Sequence, residues 1–380
     1  MFAGPRFAKS SERLRAVKRT LIFWGILVAL PIAAILAGIG TIAYWTVPAA
    51  PFVLQGQPLI AYDPEIGFVP YPNTVTRRTD KDRKGNVTLS YHVFNDRRGA
   101  RVTHPGESAP AHSDIVFLGD SFTWGHGLEN EQTFAHAVPL ALGVTGANLA
   151  MASYGTTQSL LMLRRNLDLA PRLIVHTFTT EHLIYSTWPC ASSYYPFCLD
   201  VAHVAWDKEG RPRIAPPWSD GTTRSQLQVK ADHERLDPLT WIVHGVDVAY
   251  GRILWAEGNK ALLDPARQNQ AIEFLLAEMA KTARSIGAAL LLVYIPSGGQ
   301  IPDVFVNSAA RLGIPLLDIS PVFQAHQAVP GAPPLTFPND GHPNVAGHAL
   351  ITSAIVSFIR QRGLLRQPGD AEAGLPQTNH

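Results

Sequence analysis

The sequence of 380 residues predicts an α/β domain with a parallel sheet covered by helices on both faces, preceded by one N-terminal transmembrane helix. From Asp114 onward, short apolar strands alternate with segments of helix length, and this alternation is typical of parallel sheets. Apolar residues make up 46% of the chain and charged residues 16%, so a large core can form. A long uncharged run near the N-terminus predicts the membrane helix.

That run extends from Leu21 to Trp45, and no charged residue lies between Arg19 and Asp63. It is long enough to cross a bilayer core of about 30 Å. A cleaved signal peptide has a shorter apolar stretch and a small-residue cleavage site, which Val47–Pro51 resembles poorly; a buried core helix would not be apolar on every side. We expect a basic cytoplasmic tail over 1–19, an uncleaved helix over 20–46 and an extracytoplasmic remainder, as in a single-pass protein of the inner (cytoplasmic) membrane.

Residues 47–112 are expected to form a linker, over Pro48–Pro58, and a small β-rich segment. Within it, Gly85–Asp96 alternates apolar and polar residues, as a strand with one exposed face does.

The main domain is expected over 113–363, with an insertion at about 184–267 that contains a hairpin turning on Lys208–Gly210. Its predicted strands are Asp114–Gly119, Arg172–Phe178, Ala288–Pro296 and Pro315–Ser320, and its predicted helices are Glu129–Leu142, Thr157–Leu169, Gln268–Ile286, Asp303–Leu312 and Asn344–Arg362. Residues 364–380 are expected to be disordered. Ligands collect at the carboxyl ends of parallel strands, where Ser121 is predicted to lie.

The stretch FLGDSF places Ser121 on a turn between a strand and a helix, where its hydroxyl would be exposed. A serine is a nucleophile only when a base takes its proton. The α/β-hydrolase pattern G-x-S-x-G is absent. The alternative is that the Asp and Ser of this turn merely cap a helix.

A base is available in FPNDGHPNVAGHAL, where Asp340 precedes His342 by two residues on a loop before the last helix. A catalytic histidine needs such a carboxylate to fix its tautomer. His348 is expected on the surface of the following helix.

These two blocks together, Gly119-Asp120-Ser121 and Asp340-Gly341-His342-Pro343-Asn344, resemble the SGNH branch of the GDSL serine hydrolases. The flanks Gly119–Phe134 and Tyr62–Thr74 also look like bacterial members with an N-terminal anchor. The resemblance implies a flavodoxin-like three-layer α/β/α domain and acyl-ester chemistry by Ser121, His342 and Asp340.

The middle blocks of the sequence depart from the family pattern. Ser153 stands where the family has an oxyanion-binding Gly, with Gly155 two residues later, and Glu181 or His182 stands where it has an Asn. A backbone N–H serves whatever the side chain, whereas a carboxylate cannot donate unless protonated. The expected oxyanion donors are the backbones of Ser121 and Ser153, helped by Gly155 or His182.

The sequence therefore predicts an anchored extracytoplasmic serine esterase or O-acyltransferase that needs no cofactor. Its substrate is expected to be an acyl ester, and family analogy suggests acetylated polysaccharide. The alternative is a degenerate fold that binds glycan or an envelope assembly partner without turnover. A metal-dependent hydrolase using His126, His176 or His182 lacks a supporting motif such as H-E-x-x-H. A net charge of +2 gives no argument for nucleic acid.

The only two cysteines, Cys190 and Cys198, lie close together in a loop-like stretch. In an oxidising compartment such a pair is a disulfide candidate. The alternative is two unrelated buried thiols.

Overall fold

The computed structural model describes residues 17–18, 20, 23–38, 52–82, 85–191, 199–217, 264–338 and 340–365. The chain divides into two compact units, one of Met1–Ala49 with Arg235–Trp255 and one of Ala50–Glu234 with Ala256–His380. In the first unit, residues 23–38 are helical. Among the described residues, no helix reaches the length and apolarity needed to span a membrane. The predicted span over 20–46 lies partly outside them.

Among the described residues, the second unit contains the strands and the remaining helices. The described strands are β1 (Phe52–Gly56), β2 (Ile60–Asp63), β3 (Gly67–Pro70), β4 (Val75–Lys81), β5 (Val87–Asn95), β6 (Arg101–Val102), β7 (Ile115–Leu118), β8 (Gly146–Asn148), β9 (Leu173–Phe178), β10 (Cys190–Ala191), β11 (Leu199–Asp200), β12 (His203–Trp206), β13 (Pro212–Ala215), β14 (Ala289–Tyr294) and β15 (Leu316–Asp318). The described helices are α1 (Ser121–Trp124), α2 (Phe134–Leu142), α3 (Thr156–Arg165), α4 (His182–Thr187), α5 (Pro265–Ser285), α6 (Asp303–Leu312), α7 (Ser320–Gln327) and α8 (Val345–Arg362).

Five strands form the parallel part of the main sheet, in the spatial order β8-β7-β9-β14-β15. Numbered along the chain, this is the flavodoxin-like order 2-1-3-4-5. The predicted α/β fold with a mostly parallel sheet is confirmed. In this order β7 has a neighbour on each side, so the turn after Leu118 opens at the middle of the sheet's carboxyl edge.

Two hydrophobic clusters cover the two faces of the sheet. Because side chains alternate along a strand, Val116 and Leu118 belong to one cluster and Ile115 and Phe117 to the other. The first cluster includes apolar residues of α3, α5 and α6, and the second includes those of α2 and α8. This gives the three layers that the resemblance implied.

The β-rich segment before the parallel strands extends the same sheet. Strands β6, β5, β4 and β1 continue beyond β8 in antiparallel pairing, giving nine strands. Strand β1 occupies part of Pro48–Pro58, which the sequence predicted as a linker.

Strand β4 carries polar residues on its buried face. Thr76, Arg78 and Asp80 are all buried, and Arg78 pairs in register with the buried Tyr91 of β5. Arg78 and Asp80 belong to a chain of contacts that leads to the candidate site.

The predicted hairpin in the insertion is confirmed by the antiparallel pair β12–β13, which turns over Asp207–Gly210. Residues 192–198 and 218–263 of the insertion lie outside the described part of the chain. Cys198 is among them, so the disulfide with Cys190 stays a prediction, as does the disordered tail, of which only 364–365 are described.

Candidate active site

Ser121 lies at the turn between strand β7 and helix α1. Gly119 has a φ of +151°, and a Cβ there would collide with the hydroxyls of Thr123 and Thr177. Only glycine fits this backbone and this close approach. Ser121 then begins α1 and is 7% exposed.

Asp120, not Ser121, caps α1. Its carboxylate accepts hydrogen bonds from the Phe122 N–H and the Thr179 hydroxyl, each at 2.9 Å. Burial alone would raise the pKa of Asp120, but the neighbouring His182 and these two hydrogen bonds outweigh it and hold the pKa below its usual value. The Ser121 hydroxyl is therefore not consumed by capping.

The Ser121 hydroxyl instead meets His342, 221 residues later in the chain. Ser121 Oγ lies 2.7 Å from His342 Nε2, and His342 Nδ1 is bonded to Asp340 Oδ1. The rings of Phe122 and His126 flank the imidazole, with centroids 4.8 and 4.5 Å from it. This is the arrangement in which an imidazole can remove a serine proton while a carboxylate fixes its tautomer.

Asp340 is held as an anion. Burial would raise its pKa, but hydrogen bonds from His126 and His342 lower it well below the usual range. A carboxylate that stays charged stabilises the imidazolium that forms when His342 takes a proton.

A cavity of about 170 Å³ opens over Ser121. The described side chains that line it include Ser153, Glu181, Tyr185 and Ser297. It is smaller than the roughly 300–1,000 Å³ of drug-sized ligand pockets.

Two of the four expected oxyanion donors lie at this cavity. Ser121 is the first residue of α1, so its N–H has no acceptor within the helix. Ser153 lines the cavity and has a φ of +65°, a conformation rare for a non-glycine residue.

Gly155 does not serve as a donor to this cavity. Its N–H donates to Gln158 Oε1 at 2.9 Å. A Cβ at Gly155 would collide with Tyr185, which explains the glycine by close packing against α4.

The ring of His182 also points elsewhere, so the expectation that it donates to the oxyanion is wrong in this arrangement. His182 is fully buried. Its Nε2 lies 3.4 Å from Asp120 Oδ2 and its Nδ1 lies 3.1 Å from Thr156 Oγ1. It supports the capping carboxylate rather than the reacting atoms. Glu181 faces the cavity and accepts a hydrogen bond from Ser297 Oγ at 2.6 Å.

The prediction that His348 lies on a helix surface is wrong. His348 is 1% exposed, and its Nδ1 accepts a hydrogen bond from the Phe134 N–H at 3.0 Å. It joins α8 to the start of α2.

The histidines proposed for a metal site separate into two groups. His176 and His182 lie together, with ring centroids 5.4 Å apart, whereas His126 lies beside the triad. Within the described residues, His126, Asp340 and His342 have possible ligand atoms within 4.8 Å of one another and could hold a metal ion. In this structure those atoms are hydrogen-bonded to each other and to Ser121.

Sequence reasoning missed the groups behind the triad. Arg101 is buried and donates to the carbonyls of Trp124 and Gly125 at 2.5 and 2.7 Å, which holds the turn after α1. Asp80 lies 3.3 Å from His126. The available signal was the two-residue spacing of Arg78 and Asp80, which places both on one face of a strand.

No family model matches the chain, and no curated protein matches it. Among solved structures, it is similar to the esterase EstA from Pseudoalteromonas sp., with 12% identity over 65% of this chain and 97% of that one and a TM-score of 0.35. A GDSL-like lipase from Bacteroides thetaiotaomicron matches with 13% identity over 65% of this chain and 88% of that one, at a TM-score of 0.33. A carbohydrate esterase, whose active site "displays divergent catalytic and non-catalytic binding functions", matches with 12% identity over 83% of this chain and 100% of that one, at a TM-score of 0.39. At such identities and TM-scores, function has to be argued from the geometry of the site.

Proposed function

We propose that this protein is a membrane-anchored, extracytoplasmic serine hydrolase that acts on acyl esters through Ser121, His342 and Asp340. The observation that carries the proposal is the 2.7 Å contact between Ser121 Oγ and His342 Nε2, with Asp340 bonded to the opposite nitrogen. A serine that is hydrogen-bonded to a correctly oriented base can act as the nucleophile of acyl transfer.

His342 removes the hydroxyl proton while Ser121 Oγ attacks the acyl carbon. The Ser121 and Ser153 backbone N–H groups receive the negative charge that develops on the carbonyl oxygen. His342, now cationic beside anionic Asp340, gives its proton to the departing alcohol oxygen. Water, or another hydroxyl, then attacks the acyl carbon as His342 takes its proton, and His342 gives that proton to Ser121 Oγ as the acyl–serine bond breaks.

The small cavity favours an acetyl or similarly short acyl group. An alcohol part with several hydroxyls suits the polar side chains Glu181, Tyr185 and Ser297 around the opening. We therefore place O-acetyl esters of glycans first among the substrates, with release to water or transfer to a sugar hydroxyl as the two outcomes.

The rival function is binding without turnover. It draws support from the ring of His182, which contacts Asp120 and Thr156 and so does not act as the third oxyanion donor of the family pattern. Loss of one such donor typically costs about 10²–10³ in rate, which slows an esterase without abolishing it.

The test is steady-state hydrolysis of 4-nitrophenyl acetate and of acetylated xylan by the full chain. Ser121→Ala should lower kcat/KM by at least about 10³, because the nucleophile is gone while the binding groups remain. Ser113→Ala is the control: Ser113 is also buried but lies before β7, at the opposite end of the strand, and this substitution should leave the rate unchanged. Equal rates for wild type and Ser121→Ala would leave binding as the function.

The anchor is supported by the helix over 23–38. Its large apolar side chains are exposed, from Phe23 at 60% to Leu30 at 63% and Ile35 at 61%. Basic residues precede the apolar run, which orients the N-terminus toward the cytoplasm.

Carbonate extraction of membranes from a bacterial host expressing the full chain tests the anchor. The wild type should stay in the membrane pellet. Leu30→Arg should shift protein to the extract, because an arginine near the centre of a span costs roughly 2.5–3.5 kcal/mol. A wild type that is extracted completely would rule the anchor out.

A further inference from the structure

A second imidazole–carboxylate pair lies directly behind the triad. His126 Nε2 lies 3.3 Å from Asp340 Oδ2 and 3.3 Å from Asp80 Oδ2. Asp80 Oδ1 in turn accepts from Arg78 Nε at 2.7 Å. The chain of contacts therefore runs from Ser121 through His342 and Asp340 to strand β4.

The neighbours of His126 fix its tautomer. One nitrogen, Nε2, faces two carboxylates, so it must carry the proton to satisfy them. The other, Nδ1, lies 3.1 Å from the Tyr91 hydroxyl. Burial raises the pKa of Tyr91 to about 12, so this hydroxyl keeps its proton and donates it.

His126 is also neutral. Burial, together with the positive charge of Arg78, lowers its pKa to about 3, against the opposing hydrogen bond to Asp340. A neutral imidazole with its N–H on Nε2 donates to carboxylates without neutralising their charge.

Of the two carboxyl groups involved, Asp340 is the more exposed. It lies on a loop beside Gly341, whose φ is +80°, and 27% of its side chain is exposed. The side chain of His126 is only 1% exposed. A buried, fixed donor thus holds the second oxygen of a carboxylate whose first oxygen orients the base.

We infer that Asp80 and His126 form a positioning pair that fixes Asp340, so that the antiparallel strands β4 and β5 are a working part of the active site. The inference rests on the proposed acyl-ester function. His126 acts through Asp340 and the His342 ring, and does not touch the substrate.

The first test is a kinetic comparison of two substitutions at His126. His126→Phe keeps an aromatic ring and removes the donor. By analogy with the roughly 10–100-fold loss on removing a hydrogen-bond partner of a metal ligand, kcat for 4-nitrophenyl acetate should fall about tenfold, with KM changed less than about twofold. His126→Gln returns an N–H near the position of Nε2 and should restore most of kcat. Asp80→Asn should also lower kcat, by a smaller factor than His126→Phe does.

A control separates positioning from simple loss of stability. Val93→Ala removes buried volume from β5 two residues from Tyr91 and touches neither His126 nor Asp80 in the contacts described above. It should lower the melting temperature as much as His126→Phe or more, and leave kcat unchanged. Equal kcat losses in Val93→Ala and His126→Phe would overturn the inference.

A double-substitution cycle tests the route through Asp340. In an Asp340→Asn background, His126→Phe should change kcat by less than about twofold, because the group that it positions is already altered. A full further tenfold loss would contradict a role through Asp340. Loss of wild-type activity on EDTA treatment and its return with Zn²⁺ would also overturn the inference, since the same side chains would then be metal ligands.

A proton NMR readout keeps the inference separate from the proposed function. The His342 Nδ1–H, bonded to Asp340, should give a downfield resonance that disappears in His342→Asn and moves upfield in His126→Phe but not in Val93→Ala. If the wild type hydrolyses no ester, the proposed function fails, while this shift still decides whether His126 positions Asp340. An unmoved resonance in His126→Phe overturns the inference.

Discussion

His348 shows how a single buried residue couples stability to pH. Its Nδ1 accepts a hydrogen bond from the Phe134 N–H, which only a neutral imidazole can do. Burial, with the positive charge of Arg101, lowers its pKa to about 3 from the ordinary value of 6.5. Between these two pKa values, His348 is protonated in the unfolded chain and neutral in the folded protein.

Stability should therefore fall as the pH is lowered from about 6.5 toward 3. In that range the unfolded state binds more protons, so the free energy of unfolding rises with pH, by up to about 1.4 kcal/mol per pH unit for each such group. Urea denaturation at pH 7, 6 and 5 measures this slope. His348→Asn offers an oxygen acceptor that does not titrate, so its slope should be shallower than that of the wild type. Parallel slopes would show that His348 is not the source.

Single functional residues were predictable where the neighbouring sequence indicated their role. Asp340 and His342 stand two positions apart on a Gly/Pro-rich loop, and Ser121 follows a strand end, so the sequence pointed to them. His348 was misplaced because the sequence of its own helix does not show that a backbone N–H from another helix will donate a hydrogen bond to it. His182 was misassigned for the same reason, since its partner Thr156 comes from a different element.

At the scale of elements, strands buried on both faces were the most predictable. Strands β7 and β14 are continuous apolar runs and β9 is broken only by His176 and Thr177, and the structure places all three within two residues of the predicted bounds. The predicted helix over Glu129–Leu142 starts later, at Phe134, because the Thr133 side chain caps it by accepting from the His136 N–H. Helix α7 was missed.

Strand β4 was hard to predict because its inward positions are polar. Pattern reading assigns apolar residues to the buried face, yet Arg78 and Asp80 lie there. Their burial is tolerable because they pair with each other at 2.7 Å, and Arg78 also lies over the Phe52 ring at 4.2 Å. Such pairing becomes visible only once β1, β4 and β5 are assembled.

At the scale of the whole molecule, the proposed catalysis depends on convergence of distant segments. Parallel strands end at a common edge, so the turn after β7 and the loop before α8 can meet although they are far apart in sequence. The class of sheet was predictable from the alternation of strands and helices. The strand order and the antiparallel extension were not, because pairing partners are chosen by packing across the whole core.

The most direct test of this convergence is covalent labelling of the full chain with a fluorophosphonate, followed by digestion and mass spectrometry. A hydroxyl activated by an imidazole should yield one adduct per chain, on Ser121, at a rate that drops at least about a hundredfold in His342→Ala. The same treatment of Ser121→Ala should give no adduct. An unlabelled wild type, or equal labelling of Ser121 with and without His342, would contradict the account.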